Sequence, residues 1–171
     1  RLGRSAAGLA LVLGERALVT PGTDGRPTVM LRGIRDPSAA ELVRWHDAPD
    51  PDLSLGWTVG RSARAMMDLS DGLIRDGRRL AAASQVTLDL DGAALAPGVG
   101  HRAARAHGLD ADPWSWVLHG GEEHAMLAAF APGGVPEGFR PIGRALEPAP
   151  HGPAVLLDGA VVEGTGFDHF A

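Results

Sequence analysis

Between Ala65 and Ala81 the apolar pattern changes its period. Ala65, Met66, Met67 and Leu69 form a short apolar run, and beyond Gly72 the residues Leu73, Ile74, Gly77, Leu80 and Ala81 recur with helical spacing. A strand or extended segment therefore turns into a helix near Ser70. The hinge between them reads Asp68-Leu69-Ser70-Asp71-Gly72, and any fold for this chain must accommodate that turn.

The flanking pattern predicts short elements joined by turns, as 24 glycines and 13 prolines in 171 residues require. Ser5 stands at an N-cap position before Ala6, Ala7, Leu9, Ala10, Leu11 and Leu13, with Gly14 to end the helix. Residues 15–36 read as a surface excursion in which Thr28 to Leu31 could form a strand. Ser38 and Glu41 form a capping box ahead of Leu42, Val43 and Trp45, and Pro49 with Pro51 closes that helix. Residues 52–64 are poorly patterned. Val86, Leu88 and Leu90 alternate with Thr87, Asp89 and Asp91, the pattern of a strand with one wet face. Further helices are expected through His101–His107 and from Asp112, with Pro113 in the first turn and Gly120-Gly121 at the end. Strands are expected over Ala125–Phe130 and Phe139–Leu146, and Asp158-Gly159 is the tight-turn signal of a closing hairpin. About five strands and four or five helices, with strands grouped toward the end, predict one α+β domain over residues 1–171, its mixed or antiparallel sheet flanked by helices.

Composition narrows the chemistry. Sixteen Lys and Arg against 21 Asp and Glu give −5 at pH 7, which provides no broad attraction to nucleic acid or to an anionic membrane. The chain has no cysteine, so disulfides, thiolate nucleophiles, Cys-type zinc sites and iron–sulfur clusters are excluded. The longest apolar stretch, Ala6 to Leu13, is too short to span a bilayer, and the chain reads as cytoplasmic. It opens at Arg1 with no initiator Met, consistent with a piece of a longer protein.

Two clusters carry possible chemistry. Asp68, Ser70 and Asp71 place two carboxylates and a hydroxyl at a strand-to-helix turn, all hard oxygen donors of the kind Mg²⁺ takes together with substrate phosphates. Backbone N–H groups left unpaired at the helix start would favour phosphate as well. The alternative reading is that Ser70 or Asp71 caps the helix while Asp68 faces water. Asp76 reads as a surface charge. The second cluster, His119-Gly120-Gly121-Glu122-Glu123-His124, either lines a pocket or turns into a strand with solvated acids. A zinc site is weaker, because no H-E-x-x-H pattern occurs. The terminal Gly166-Phe167-Asp168-His169-Phe170 either anchors in a core or offers a ring to a flat heterocycle. Neither a Walker loop, a kinase-type catalytic loop nor a Gly-x-Ser-x-Gly elbow is present.

In order and spacing, Gly3-Arg4-Ser5-Ala6-Ala7-Gly8-Leu9, Met67-Asp68-Leu69-Ser70-Asp71-Gly72-Leu73, Gly120-Gly121-Glu122-Glu123, Ile142-Gly143 and Gly166-Phe167-Asp168-His169-Phe170 resemble the thiamine-monophosphate kinase family. The resemblance implies the C-terminal domain of the wider aminoimidazole ribonucleotide synthetase superfamily. It also implies a direct, Mg²⁺-assisted transfer of the γ-phosphoryl group of ATP to thiamine monophosphate, without a covalent enzyme intermediate. By motif position, Asp68 and Asp71 would hold Mg²⁺, Ser70 would contact ATP, Glu122 would touch thiamine phosphate and Phe167 would stack near its rings. A sibling ATP-dependent synthetase and a non-catalytic binding domain are the alternatives.

Two departures bear on the thiamine pocket. The family motif commonly continues Glu-Asp-Tyr-Glu, where this chain has Glu122-Glu123-His124-Ala125, and the terminal aromatic, often Tyr or Trp, is Phe167. The N-terminal half that carries an acidic Gly-Asp-Asp loop and the dimer interface in such enzymes is not among these residues. Two aspartates and a serine cannot neutralise a triphosphate, so the expectation is a homodimeric enzyme whose isolated 1–171 segment folds without kinase activity.

Overall fold

The computed structural model describes residues 2–98, 109 and 112–164. The helix expected over His101–His107 and the segment containing Phe167 lie outside the described residues.

Helix α1 (Arg4–Leu13) buries Ser5, Ala7, Gly8 and Leu11 along one stripe. It packs on α2 (Ser38–Asp47) and on a hairpin of β1 (Ala17–Pro21) and β2 (Pro27–Leu31). The 15–36 excursion is thus an antiparallel ribbon. Ala7, Leu11, Ala17, Ala39, Leu42 and Val43 form its shared core. Two expected caps differ from the sequence reading. Gly3, left-handed at φ 80°, occupies the N-cap of α1, and Ser5 lies inside the helix. Pro37 precedes α2, where the Asp36 carboxylate accepts the Ser38 N–H at 2.9 Å. Residues 52–64 are ordered into α3 (Leu53–Thr58) and a 3₁₀ turn over Gly60–Ser62, with Asp52 capping the Ser54 N–H at 3.0 Å.

The change of period at residue 70 is realised as β3 (Ala65–Leu69) followed by α4 (Leu73–Ser84). Next come β4 (Thr87–Leu90), the single turn α5 (Gly92–Leu95) and α6 (Pro113–His119), the last with Pro at its start and Asp112 as N-cap. The chain continues through β5 (Ala125–Ala129), β6 (Gly143–Leu146), β7 (Ala154–Leu157) and β8 (Ala160–Val161). Strands β3 and β5 pair antiparallel, with Leu69 opposite Ala125. A second, mixed sheet has the order β6-β4-β7-β8, in which β4 and β7 run parallel. The expected α+β class with a mixed sheet flanked by helices is what the chain adopts.

Eight strands occur among the described residues, more than the roughly five expected; in the 15–36 excursion the pattern marks only Thr28–Leu31 as a possible strand, whereas β1 pairs with it as a second arm. The expected 139–146 strand is confined to β6, since Pro141 cannot donate to a ladder. Strand β4 has no wet face: all four residues are buried between β6 and β7. Its polar members are satisfied internally. Thr87 Oγ1 accepts the Ala149 N–H at 3.1 Å, while Asp89 accepts the Gly159 N–H and an Arg144 N–H at 2.9 Å each. The closing hairpin is as expected, with Asp158 and Gly159 both at positive φ (51° and 79°), the primed-turn geometry. The larger core, which includes Leu69, Leu73, Ile74, Leu88, Val117 and Val155, holds β3, α4, the mixed sheet and α6 together and fixes the turn at residue 70.

Candidate functional site

Leaving β3, the chain reverses through Ser70, Asp71 and Gly72. Gly72 is the N-cap of α4, at φ 111° and ψ 152°, and supplies no side-chain cap. The N-cap position thus falls on Gly72 and not on Ser70 or Asp71. A Cβ on Gly72 would stand 2.7 Å from the His119 carbonyl oxygen, and one on Gly121 would stand 2.6 Å from the Ser70 carbonyl oxygen. Glycine at both positions lets two backbones touch. The contact is hydrogen-bonded: Glu122 N–H donates to the Ser70 carbonyl at 2.8 Å, and His124 N–H to that of Leu69 at 2.9 Å. The two motif clusters, some fifty positions apart in the chain, thereby form one edge that continues the β3–β5 ladder.

The turn is organised by a residue that sequence reasoning placed on the surface. Asp76 is fully buried. One oxygen, Oδ2, accepts the N–H groups of Ser70 and Asp71 at 3.0 and 2.9 Å, and the other accepts an Arg79 N–H at 2.7 Å. This overturns the reading of Asp76 as a surface charge. It also means that the Ser70 and Asp71 amides, just ahead of the helix, are committed to a carboxylate and not available to a phosphate. The signal was present: Asp76 is three positions from Leu73 and four from Leu80, on the apolar face of α4.

Asp71 is mostly buried and ion-paired. Its Oδ2 lies 2.7 Å from Arg79 Nη1 and 3.8 Å from Arg75 Nε. The hydrogen bond to Asp71 is the main reason the Arg79 guanidinium is held above its ordinary pKa. Asp68, one residue before the end of β3, is exposed.

The second loop separates two adjacent acids. Glu122, at φ 59°, is largely exposed, with Oε2 3.6 Å from His46 Nδ1. Glu123 is buried. Its Oε1 accepts the Ser5 N–H at 2.7 Å, supplying to α1 the N-terminal cap that Gly3 cannot. Its Oε2 sits 3.6 Å from Arg4 Nε and has no hydrogen-bond partner among the described residues. Burial pushes the Glu123 carboxyl above the ordinary glutamate value, against the opposing pull of the Ser5 N–H and Arg4. The Arg4 guanidinium in turn stacks on Trp45, 3.3 Å from the ring centroid. A cavity of about 250 Å³ beside this group is lined by Arg4, Glu123, His124, Met126, Phe139 and Arg140, among others.

Mg²⁺ takes hard oxygens, commonly one or two carboxylates completed by phosphate and water. The donor chemistry of Asp68 and Asp71 fits such a partial site. No group of three His, Cys, Asp or Glu side chains gathers to hold a metal unaided among the described residues.

The α+β arrangement is similar to that of about half of each solved ThiL structure it matches. The solved structure of AaThiL complexed with AMPPCP and TMP superimposes with a TM-score of 0.74 at 27% identity, over 99% of this chain and 48% of that one. Thiamine monophosphate kinase (thil) from Aquifex aeolicus superimposes with a TM-score of 0.69 at 26% identity, over 95% of this chain and 49% of that one. In sequence, thiamine-monophosphate kinase of Mycobacterium tuberculosis is 45% identical over 168 residues, 97% of this chain and 42% of that protein. The Corynebacterium glutamicum thiamine-monophosphate kinase is 37% identical over 146 residues, 84% of this chain and 39% of that protein. No protein-family model matches. The chain is thus homologous along nearly its whole length to thiamine-monophosphate kinases, as its motifs indicate, and it spans less than half the length of these relatives.

Proposed function

We propose that this chain is the C-terminal half of a thiamine-monophosphate kinase and contributes to the ATP-dependent conversion of thiamine monophosphate to thiamine diphosphate. The observation that carries this reading is the hydrogen bond from Glu122 N–H to the Ser70 carbonyl, which brings the Asp-x-Ser-Asp-Gly turn and the glycine-pair loop to one edge. The ligands of the solved relative, AMPPCP and TMP, match the ATP and thiamine phosphate that the reading requires.

In this reading Asp68 and Asp71 hold Mg²⁺, Ser70 contacts ATP, and Glu122 with Phe167 meets thiamine phosphate. Bound Mg²⁺ would offset phosphate charge, the main demand of phosphoryl transfer. The chain's own part is positional. Asp76 fixes the turn through the Ser70 and Asp71 N–H groups, the Gly72 and Gly121 contacts set its distance from the acidic loop, and the exposed Asp68 and Glu122 carboxylates are left accessible. The remaining metal and nucleotide ligands and the homodimer interface belong to an N-terminal half.

The test is transfer of labelled γ-phosphate from ATP to thiamine monophosphate by the full-length polypeptide that contains this chain. Thiamine diphosphate is the expected product, with residues 1–171 alone giving no turnover. A full-length protein that labels another acceptor and not thiamine monophosphate overturns the assignment.

A further inference from the structure

The ion pairs at the turn carry an inference beyond the assignment of Asp71 as a metal ligand, on which it rests. One guanidinium serves two carboxylates: Arg79 Nη1 is 2.7 Å from Asp71 Oδ2 and 2.7 Å from Asp76 Oδ1. The two acids are not equivalent. Asp76 is fully buried and its other oxygen is committed to two backbone N–H groups, so it cannot turn toward a ligand. Asp71 keeps 15% of its side chain exposed, and Arg79 is half exposed on the surface of α4. A half-exposed arginine can withdraw from one partner into water at small cost, and Asp76 remains to hold it.

We propose that Arg79 is a built-in competitor for the divalent cation. Its guanidinium holds the Asp71 carboxylate in place and neutralised, and a metal ion gains that oxygen only as Arg79 swings away to keep Asp76 alone. The exchange conserves local charge balance: a cationic side chain leaves the carboxylate as a cation arrives, so Asp71 is never left unpaired at a mostly buried position. Arg79 is thus a positioning residue that sets metal affinity without touching substrate. Arg75, farther off at 3.8 Å, stays as a secondary neighbour of the same oxygen.

Direct Mn²⁺ titration followed by electron paramagnetic resonance tests this on the full-length polypeptide that contains this chain, without any assay of turnover. Arg79→Met is expected to bind Mn²⁺ about tenfold more tightly than the unmodified chain, and Arg79→Lys to fall between them. Adding Asp71→Asn to Arg79→Met should erase the gain. The Ser70 and Asp71 amide resonances, fixed by Asp76, report whether the turn is intact in each variant. If Arg79→Met disturbs them, Mg²⁺ titration of the unmodified chain replaces it: the Arg79 Nε–H resonance should shift with the same midpoint as metal binding. Equal Mn²⁺ affinity with and without Arg79 at an intact turn, or an Arg79 resonance indifferent to Mg²⁺, overturns the competition and leaves the metal reading standing. Full affinity in Asp71→Asn overturns the metal reading itself.

Discussion

The turn at residues 70–76 and the loop at residues 120–124 each contain a pair of acids, one buried and one nearer the surface, yet they solve the burial of charge in opposite ways. In the turn, Asp76 receives two backbone N–H groups and a guanidinium, enough to satisfy both oxygens of a fully buried carboxylate. In the loop, Glu123 receives one good hydrogen bond, and its second oxygen has only a distant Arg4. A saturated buried carboxylate is a rigid fixture. An under-coordinated one resists ionisation: burial pushes the Glu123 carboxyl up, and the Ser5 N–H and Arg4 offset this only in part.

The comparison can be broken most forcefully at Asp76. Asp76→Ala leaves the Ser70 and Asp71 N–H groups and Arg79 without their buried partner and is expected to cost about 4 kcal/mol, read as a lower urea midpoint. A loss below about 1 kcal/mol would show that the turn does not depend on this carboxylate. Gly72→Ala comes next. Its backbone lies at φ 111° and a Cβ would press on the His119 carbonyl, so about 2–3 kcal/mol should be lost, with the Glu122–Ser70 contact loosened in amide exchange.

Glu123 gives a smaller effect with a distinctive pH dependence. Its folded pKa lies above the unfolded one, so the folded chain holds the proton more tightly. Stability from this group is fully present below the ordinary glutamate value and is lost as pH rises toward the raised folded value. Glu123→Gln should remove that decline, and urea midpoints of the two chains should converge at low pH and separate as pH increases through this window. Parallel curves would place the burial cost elsewhere.

These contrasts also mark what the residues disclose before folding. The strand-to-helix switch at Ser70 and the Asp158-Gly159 hairpin were readable because each depends on local period or on φ values that few residues adopt. The α+β class followed from the order of such elements. The wet face expected of β4 failed because Thr87 and Asp89 look polar in sequence and are satisfied by Ala149, Gly159 and Arg144, which arrive from 55 to 70 positions away. Glu122 and Glu123 were indistinguishable as letters. Only the left-handed backbone at Glu122 and His124 decides which acid points inward. At the candidate site the motif named the turn, whereas the residues that hold it, Asp76 and Arg79, were missed or misassigned because their roles are tertiary.

The cap on α1 has a consequence for biogenesis. The carboxylate that seals the first helix belongs to a residue 118 positions later, so on the ribosome that helix emerges with its leading amides open to water and stays so until Glu123 clears the exit tunnel. Nascent chains stalled short of that point should fray at Arg4 and Ser5, and termination before it would release a product whose α1 has no lock.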